Sequence, residues 1–290
     1  MDITTFMIAV YCLIEDVLPE RRLRQRGPQP TLRDSEVLTI EVVGEYLGLD
    51  TESNIFAHFC RHYSDWFPGL RKITRTTFTR QAANLWKVKQ ELWQELAQQI
   101  EQDRYISIVD SFPIPVCRFA RAPRSRSFAE VAAFGHDEVA RQTYYGLRAH
   151  VRLAWPGVIV DCALAPANIH DTEAAEELLQ GVHGFALADR NYWKPELRER
   201  LKRQGMHLLA PYKSAKRPQQ PYPRFLTHMR YRIETVFGQL VERFHAKRIW
   251  ARDLWHLTSR WMRKFLSHTL AVFFCAQENL SYLSFAKLAH

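Results

Sequence analysis

Cysteine is sparse and scattered in this 290-residue chain: Cys12, Cys60, Cys117, Cys162 and Cys275 are five in number, with no Cys-x-x-Cys pair among them. An odd, dispersed set supplies neither a disulfide framework nor a zinc ribbon, and it fits a reducing, cytoplasmic setting. No Cys/His cluster, heptad pattern or internal repeat is present. No run of 18 uncharged apolar residues occurs, so a membrane span is not expected. The first apolar segment lacks a basic leader and is flanked by Asp2 and Glu15-Asp16, which argues against a signal peptide.

What remains is a chain with 47% hydrophobic residues, enough to bury a sizeable core as one large domain or two. Forty Lys and Arg against 31 Asp and Glu give a net charge of +9, which suits a polyanionic partner such as nucleic acid. That excess bears on association, not on fold.

The first hundred residues read as helical. Phe6, Val10, Leu13, Ile14, Val17 and Leu18 recur at helical spacing before Pro19. A basic connector, Arg21 to Arg26, and Gly27-Pro-Gln-Pro30 follow; such charge runs are usually solvated. Thr31 and Asp34 stand at capping-box spacing before Val37, Leu38, Val42, Tyr46 and Leu47, with Gly48 as C-cap. A shorter helix carries Ile55, Phe56 and Phe59 and ends near Pro68-Gly69. A long helix then opens at Arg71-Lys-Ile-Thr-Arg-Thr-Thr-Phe-Thr-Arg80, with Phe78, Leu85, Leu92, Leu96 and Ile100 inward. Its cationic and hydroxyl side chains suit contacts to phosphate or base edges, and equally an ordinary solvated helix start. Arg71, Lys72, Arg75 and Arg80 are thus candidate DNA contacts, and residues 1–100 a candidate DNA-binding region.

Strand texture begins at Tyr105-Ile-Ser-Ile-Val-Asp110-Ser-Phe-Pro-Ile-Pro, a Val/Ile run with a carboxylate set near its end. Near-continuous apolar runs mark strands buried on both faces, where an acid is costly without a compensating cation. Asp110 reads either as a turn former or as a metal-ligating carboxylate. Arg118, Arg121, Arg124 and Arg126 follow in a connection that could hold a nucleic-acid backbone or simply be a surface loop. Tyr144–Trp155 and Val158–Leu164 form a hairpin about Pro156-Gly157. A helix from Asn168–Asp171 runs through Leu179. A strand Phe185–Asp189, a helix Pro195–Gln204, a strand Met206–Pro211, and a polar loop Lys213–Pro223 come next. A long helix from His228 carries Ile233, Phe237, Leu240, Val241 and Phe244, and an apolar one covers Trp255–Ala276. Gly135-His136-Asp137 reads as irregular.

Three antiparallel strands followed by alternating helix and strand give an α/β plan with a mixed sheet, the order of an RNase H-like domain. Phosphodiester chemistry with two divalent ions needs carboxylates converging from different elements. Asp189 ends the fourth strand, and Glu234 sits beside the Ile233/Phe237 stripe. The three acids lie 79 and 45 residues apart, so only the fold can assemble them. Among other polar groups, His170-Asp171 is more simply a cap than a ligand pair, and Asp161 more simply a polar-face residue. His150 is more simply a core histidine than a base. The Trp255–Phe274 stripe reads as core or dimer surface before base-stacking platform.

Five stretches occur in register: Ile-Val-Asp110-Ser, Tyr145-Gly-Leu-Arg-Ala-His150, Ala167-Asn-Ile-His-Asp171, Ala188-Asp-Arg-Asn-Tyr192 and Arg230-Tyr-Arg-Ile-Glu234-Thr-Val-Phe237. Together they resemble the DDE transposases of bacterial insertion sequences, closest to the insertion sequence 982 family. The resemblance implies a helical DNA-binding region (1–100) and an RNase H-like catalytic domain with C-terminal helices (101–290). It implies Asp110, Asp189 and Glu234 as catalytic and metal-binding triad, two Mg²⁺ or Mn²⁺ ions, and cleavage and joining of double-stranded DNA. Arg230 joins the candidate DNA contacts, and a homodimer is implied in the synaptic complex, in a bacterial cytoplasm at the nucleoid. The related Tyr-Arg-Glu-Lys signature would place Tyr at 227 and Lys at 241, where this chain has Thr227 and Val241. An RNase H-like endonuclease without strand transfer, and a non-catalytic DNA-binding derivative, remain as alternatives.

Overall fold

The computed structural model describes residues 1–18, 29–211, 222–249 and 251–288. The Pro19 helix stop, the basic run Arg21 to Arg26, and nearly all of the Lys213–Pro223 loop lie outside the described residues. The chain divides into two compact units: Met1–Gln99 together with Leu240–His290, and Ile100–Gln239. Sequence placed one boundary near residue 100, with every later helix on the catalytic side. The C-terminal residues instead pack with the N-terminal helices.

The first unit contains α1 (Ile3–Val17), α2 (Asp34–Tyr46), α3 (Glu52–His62), α4 (Arg75–Asn84), α5 (Trp86–Gln99) and α9 (Leu254–Gln277). Asp2 caps α1 by accepting from Thr5 N at 2.9 Å, and Phe6, Val10 and Ile14 face inward. At α2 the cap sits elsewhere than the Thr31/Asp34 spacing suggested: Glu36 Oε2 accepts from Arg33 N at 2.6 Å. Gly48, at φ 78°, lies in the left-handed region that ends helices readily. The single long helix expected from residue 71 is two, broken at Leu85. The break leaves the Ala82 carbonyl open to Ser259 Oγ at 2.9 Å and Lys89 Nζ at 3.0 Å. Apolar packing of Trp93, Trp261 and Phe265 surrounds an unusual interior. Glu41, Glu45, Lys89, Arg263 and Lys264 are at most 1% exposed, and pair with one another.

The second unit is built on β1 (Asp103–Pro115), β2 (Ala133–Asp137), β3 (Gln142–Trp155), β4 (Val158–Pro166), β5 (Gly184–Leu187) and β6 (Met206–Leu209). The sheet order is β2-β3-β1-β5-β6, and β4 also pairs with β3. β3 is long enough for its first residues to pair with β2 and the rest with β4. β1 runs antiparallel to β3 and parallel to β5, and β5 parallel to β6. The stretch read as irregular around Gly135 is therefore the strand β2. Gly135 is required there: a Cβ would stand 2.6 Å from the Ala167 carbonyl oxygen.

Helix α6 (Asp171–Leu178) packs across β3, β4 and β1, and α7 (Pro195–Arg203) packs on β6. Ala175, Leu179, Leu197 and Leu201 pack with Val109, Ala186, Ala188, Met206 and Leu208 around the buried ring of Tyr192. Helix α8 (Arg224–Gly238) buries Ile233 and Val236, and its Phe237 ring meets Phe112 at 4.8 Å. It does not run on regularly to Phe244, because a π-helical turn, Gln239–Arg243, follows it. Among the described residues no helix is long and apolar enough to cross a membrane.

Candidate active site at the paired strand ends

The parallel register explains why two acids 79 residues apart meet. Ile106, Ser107 and Ile108 stand opposite Phe185, Ala186 and Leu187. Asp110 and Asp189 each follow the last paired residues, Ile108 and Leu187, by two positions. β5 has ended there, whereas β1 runs on to Pro115 against β3. Asp110 therefore stands inside its strand where the parallel partner stops, and not at the strand's end as its sequence setting suggested. Asp110 Oδ1 accepts from Ser111 N at 2.8 Å. Asp189 lies just past β5 and caps the turn Arg190–Tyr192, its Oδ1 accepting from Asn191 N at 2.7 Å.

Both carboxylates are pushed away from ionisation, and the Asp189 charge contributes to this at Asp110. Burial, and then the charges of Asp189 and Asp171, push the Asp110 carboxyl up to about 7, against the pull of the Ser111 N–H and Arg230. Burial likewise raises Asp189, with Asp171 adding to it and the Asn191 N–H and Arg230 opposing. A pair of like charges held this way is one that a cation stabilises.

Glu234 stands apart from the pair. Its side chain is 48% exposed and accepts from Arg230 Nη2 at 2.9 Å, one helical turn away. The Arg230 guanidinium in turn acts on both aspartates. The structure therefore brings Asp110 and Asp189 together, with Glu234 linked to them through Arg230. Among the described residues, no three Asp, Glu, His or Cys side chains are close enough to enclose a metal ion. Glu242 falls in the π-helical turn, so its direction does not follow from 100° per residue counted from Glu234.

Asp171 is the residue that sequence reasoning placed wrongly. The cap of α6 is His170, whose Nδ1 accepts from Thr172 N at 3.2 Å. Asp171, freed from capping, accepts from Ser111 Oγ at 2.8 Å and from Arg148 Nη1 at 3.1 and 3.3 Å. The available signal was the adjacent His170, which made a second cap redundant. Tyr192, 1% exposed, was also missed as more than core. Its hydroxyl is within hydrogen-bonding reach of Ser111, and burial followed by Asp110, Asp171 and Asp189 raises its pKa well above the usual value. His150 is buried with Nδ1 3.8 Å from Asp171. Asp161 faces Arg152 at 3.7 Å.

The candidate DNA contacts fall in both units. Arg118, Arg121, Arg124 and Arg126 are exposed on the stretch after β1, which holds no acid from residue 118 to 129. Arg230 is half-buried beneath Tyr231 and engaged by Glu234. In the helical unit Lys72 and Arg80 are exposed, Arg71 pairs with Asp65, and Arg75 Nη1 donates to Ser53 Oγ at 2.6 Å.

The donor chemistry of Asp110, Asp189 and Glu234 is all carboxylate oxygen, which fits a hard divalent cation and disfavours zinc. The opposition of Asp189 to ionisation of Asp110 points the same way. Strand order β4-β3-β1-β5-β6, with one acid inside β1 and one just after β5, defines an RNase H-like fold of mixed α/β type. Residues 100–249, just over half of the chain, match the family described as Transposase DDE domain, and the protein belongs to that family. The fold is similar to that of a piggyBac transposase in a synaptic complex with hairpin DNA, with a TM-score of 0.50 and 9% identity over 96% of this chain and 75% of that one. No curated protein sequence matches.

Proposed function

We propose that this transposase binds the ends of a bacterial insertion sequence, nearest to the insertion sequence 982 family, cuts the DNA there and joins the freed ends to a target. The observation carrying this reading is that Asp110 and Asp189 come together just beyond the paired stretch of the parallel strands β1 and β5, within a Transposase DDE domain. Asp110, Asp189 and Glu234 would hold two Mg²⁺ or Mn²⁺ ions, which when bound supply Lewis acidity to the phosphate. For Glu234 this means exchanging Arg230 for the ion.

In the first reaction a water oxygen bonds to phosphorus and the P–O3′ bond breaks, leaving a 3′-OH on the element and a 5′-phosphate on the flank. In the second that 3′ oxygen attacks a target phosphate and gives up its proton, and the target's 3′ oxygen leaves and takes one up. The acids would position the reacting phosphate through the ions they hold, and Arg230 offsets its charge. Arg118, Arg121, Arg124 and Arg126 track the backbone leading away from the site, while Arg71, Lys72, Arg75 and Arg80 contact the end sequence. The synaptic complex is a homodimer, assembled on the nucleoid in the cytoplasm.

The test is incubation of the full chain with a labelled duplex carrying the element end, with and without Mg²⁺. Nicked and joined products that require the ion support the reading. Nicks without joined products select an endonuclease lacking strand transfer, and binding without nicks selects a non-catalytic DNA-binding protein.

A further inference from the structure

A hydrogen-bonded chain crosses the site between the segments that carry the two aspartates. Tyr192, three residues after Asp189, reaches Ser111, the residue after Asp110. Ser111 Oγ donates to Asp171 Oδ1 at 2.8 Å, so toward Tyr192 it acts as acceptor. Arg148 Nη1 donates to both oxygens of Asp171, at 3.1 and 3.3 Å, and its Nη2 donates to the His136 carbonyl at 3.0 Å. One path therefore ties the turn after β5, the middle of β1, the start of α6, β3 and β2.

Stability alone does not account for it. Buried ion pairs are frequently matched or surpassed by apolar residues of similar volume. This pair instead places the Asp171 carboxylate one hydrogen bond from the residue that follows Asp110. An apolar plug would hold the strands equally well, whereas only a polar chain fixes the rotation of the groups beside the two acids. Ser111 cannot turn without breaking its bond to Asp171, and its N–H is the group that orients Asp110 Oδ1. Groups behind metal-binding carboxylates characteristically fix their orientation in this way.

We propose that Tyr192, Ser111, Asp171 and Arg148 form a positioning frame that sets the relative orientation of Asp110 and Asp189 for divalent-cation binding. The frame residues touch neither the DNA nor the ion, and act through the two aspartates. The inference rests on the reading of Asp110 and Asp189 as the cation-binding pair.

The test uses the full-length protein with the variants Ser111→Ala, Ser111→Thr, Tyr192→Phe and Asp110→Asn. Mn²⁺ binding is measured by calorimetry without DNA, alongside end-cleavage rate, end-DNA affinity and melting temperature. The frame predicts that Ser111→Ala weakens Mn²⁺ binding by about 10–100-fold and slows cleavage at saturating DNA by a similar factor, with DNA affinity and melting temperature held. Tyr192→Phe acts in the same direction, and Ser111→Thr, which keeps the hydroxyl, recovers most of the loss. Unchanged Mn²⁺ affinity in Ser111→Ala overturns the frame. A fall in melting temperature that tracks the lost activity, with no recovery in Ser111→Thr, also overturns it by showing a structural role. Retained cleavage and Mn²⁺ binding in Asp110→Asn would instead remove the underlying reading, and the frame with it.

Discussion

Arg263 offers the sharpest quantitative test of how the helical unit is held together. Its side chain is fully buried, with Nε 2.6 Å from Glu45 Oε2 and Nη1 3.2 Å from Glu41 Oε1 and 3.4 Å from Glu52 Oε1. Burial works against its charge, yet Glu45, Glu52 and Glu41 outweigh it and hold the guanidinium proton more firmly than usual. Arg263→Met keeps much of the aliphatic stem and removes the charge. Three buried carboxylates then face Lys89, Lys264 and the more exposed Arg260. Breaking a buried pair from one side costs about 3–5 kcal/mol, because the abandoned charge keeps its desolvation penalty. At about 2–4 °C per kcal/mol for a unit of this size, the melting temperature should drop by about 6–20 °C. Urea unfolding followed through tryptophan fluorescence is the assay, since Trp93 and Trp261 are buried in the same unit. Adding Glu45→Gln takes from the buried Lys264 the carboxylate it pairs with, so the double variant should be no more stable than Arg263→Met. Its loss should nevertheless fall short of the sum of the two single losses by about 1 kcal/mol or more, because Arg263 and Glu45 share a contact. A loss below about 1 kcal/mol for Arg263→Met, or strictly additive losses in the double variant, would refute the reasoning.

At the catalytic unit, Asp110→Asn or Asp189→Asn should cut end cleavage by more than about 100-fold while DNA binding survives, as read from gel shifts and nicking in parallel. Glu234→Gln should do the same and Glu242→Gln should not; the reverse pattern would exchange their roles. Chelation with EDTA should abolish cleavage and Mg²⁺ or Mn²⁺ restore it, because the donor set is all oxygen. If six or more of the proposed arginines and lysines touch phosphate, end-DNA affinity should fall about 10³–10⁵-fold between 50 and 200 mM salt, measured by fluorescence anisotropy. Burial pulls His268 down to about 3, so the folded protein refuses a proton that the unfolded chain accepts below its ordinary value of 6.5. Its contribution to stability is present above pH 6.5 and declines as pH falls toward 3, and His268→Gln should flatten that part of the pH–melting curve.

How much of this was legible in the sequence depended on range. Asp110 and Asp189 could be read because each follows a locally recognisable apolar strand run, although β1 continues past Asp110 to Pro115, and strand order then does the assembly. Phe78, Leu85, Leu92 and Leu96 are all buried as their spacing predicts, although the helix breaks at Leu85. That break is settled by Ser259 and Lys89 at the Ala82 carbonyl, groups remote in sequence or on the next helix. β2 was missed because five residues containing Gly135 carry almost no strand signal, and pairing with β3 decides the matter. Asp171 was misread because a helix start accommodates a cap at either of two adjacent residues. Which one turns toward the sheet is set by Ser111 and Arg148.

The C-terminal helix shows a deeper reason for such failures. Local patterning assigns Arg263 and Lys264 to solvent, since charged side chains are rarely buried without partners. Those partners are Glu41, Glu45 and Glu52, more than two hundred residues earlier. Neither half of this network is interpretable alone: the glutamates look like an exposed face of α2 and α3, and the cations like an exposed face of α9. Their complementarity places Leu240–His290 with the first 99 residues and makes the helical unit discontinuous in sequence. A fragment beginning at Glu101 would keep Arg263 and Lys264 while discarding every carboxylate that neutralises them. Loss of end discrimination in that fragment would therefore mix loss of a reading surface with loss of fold. Substitutions of Arg71, Lys72, Arg75 and Arg80 in the intact chain keep the two effects apart.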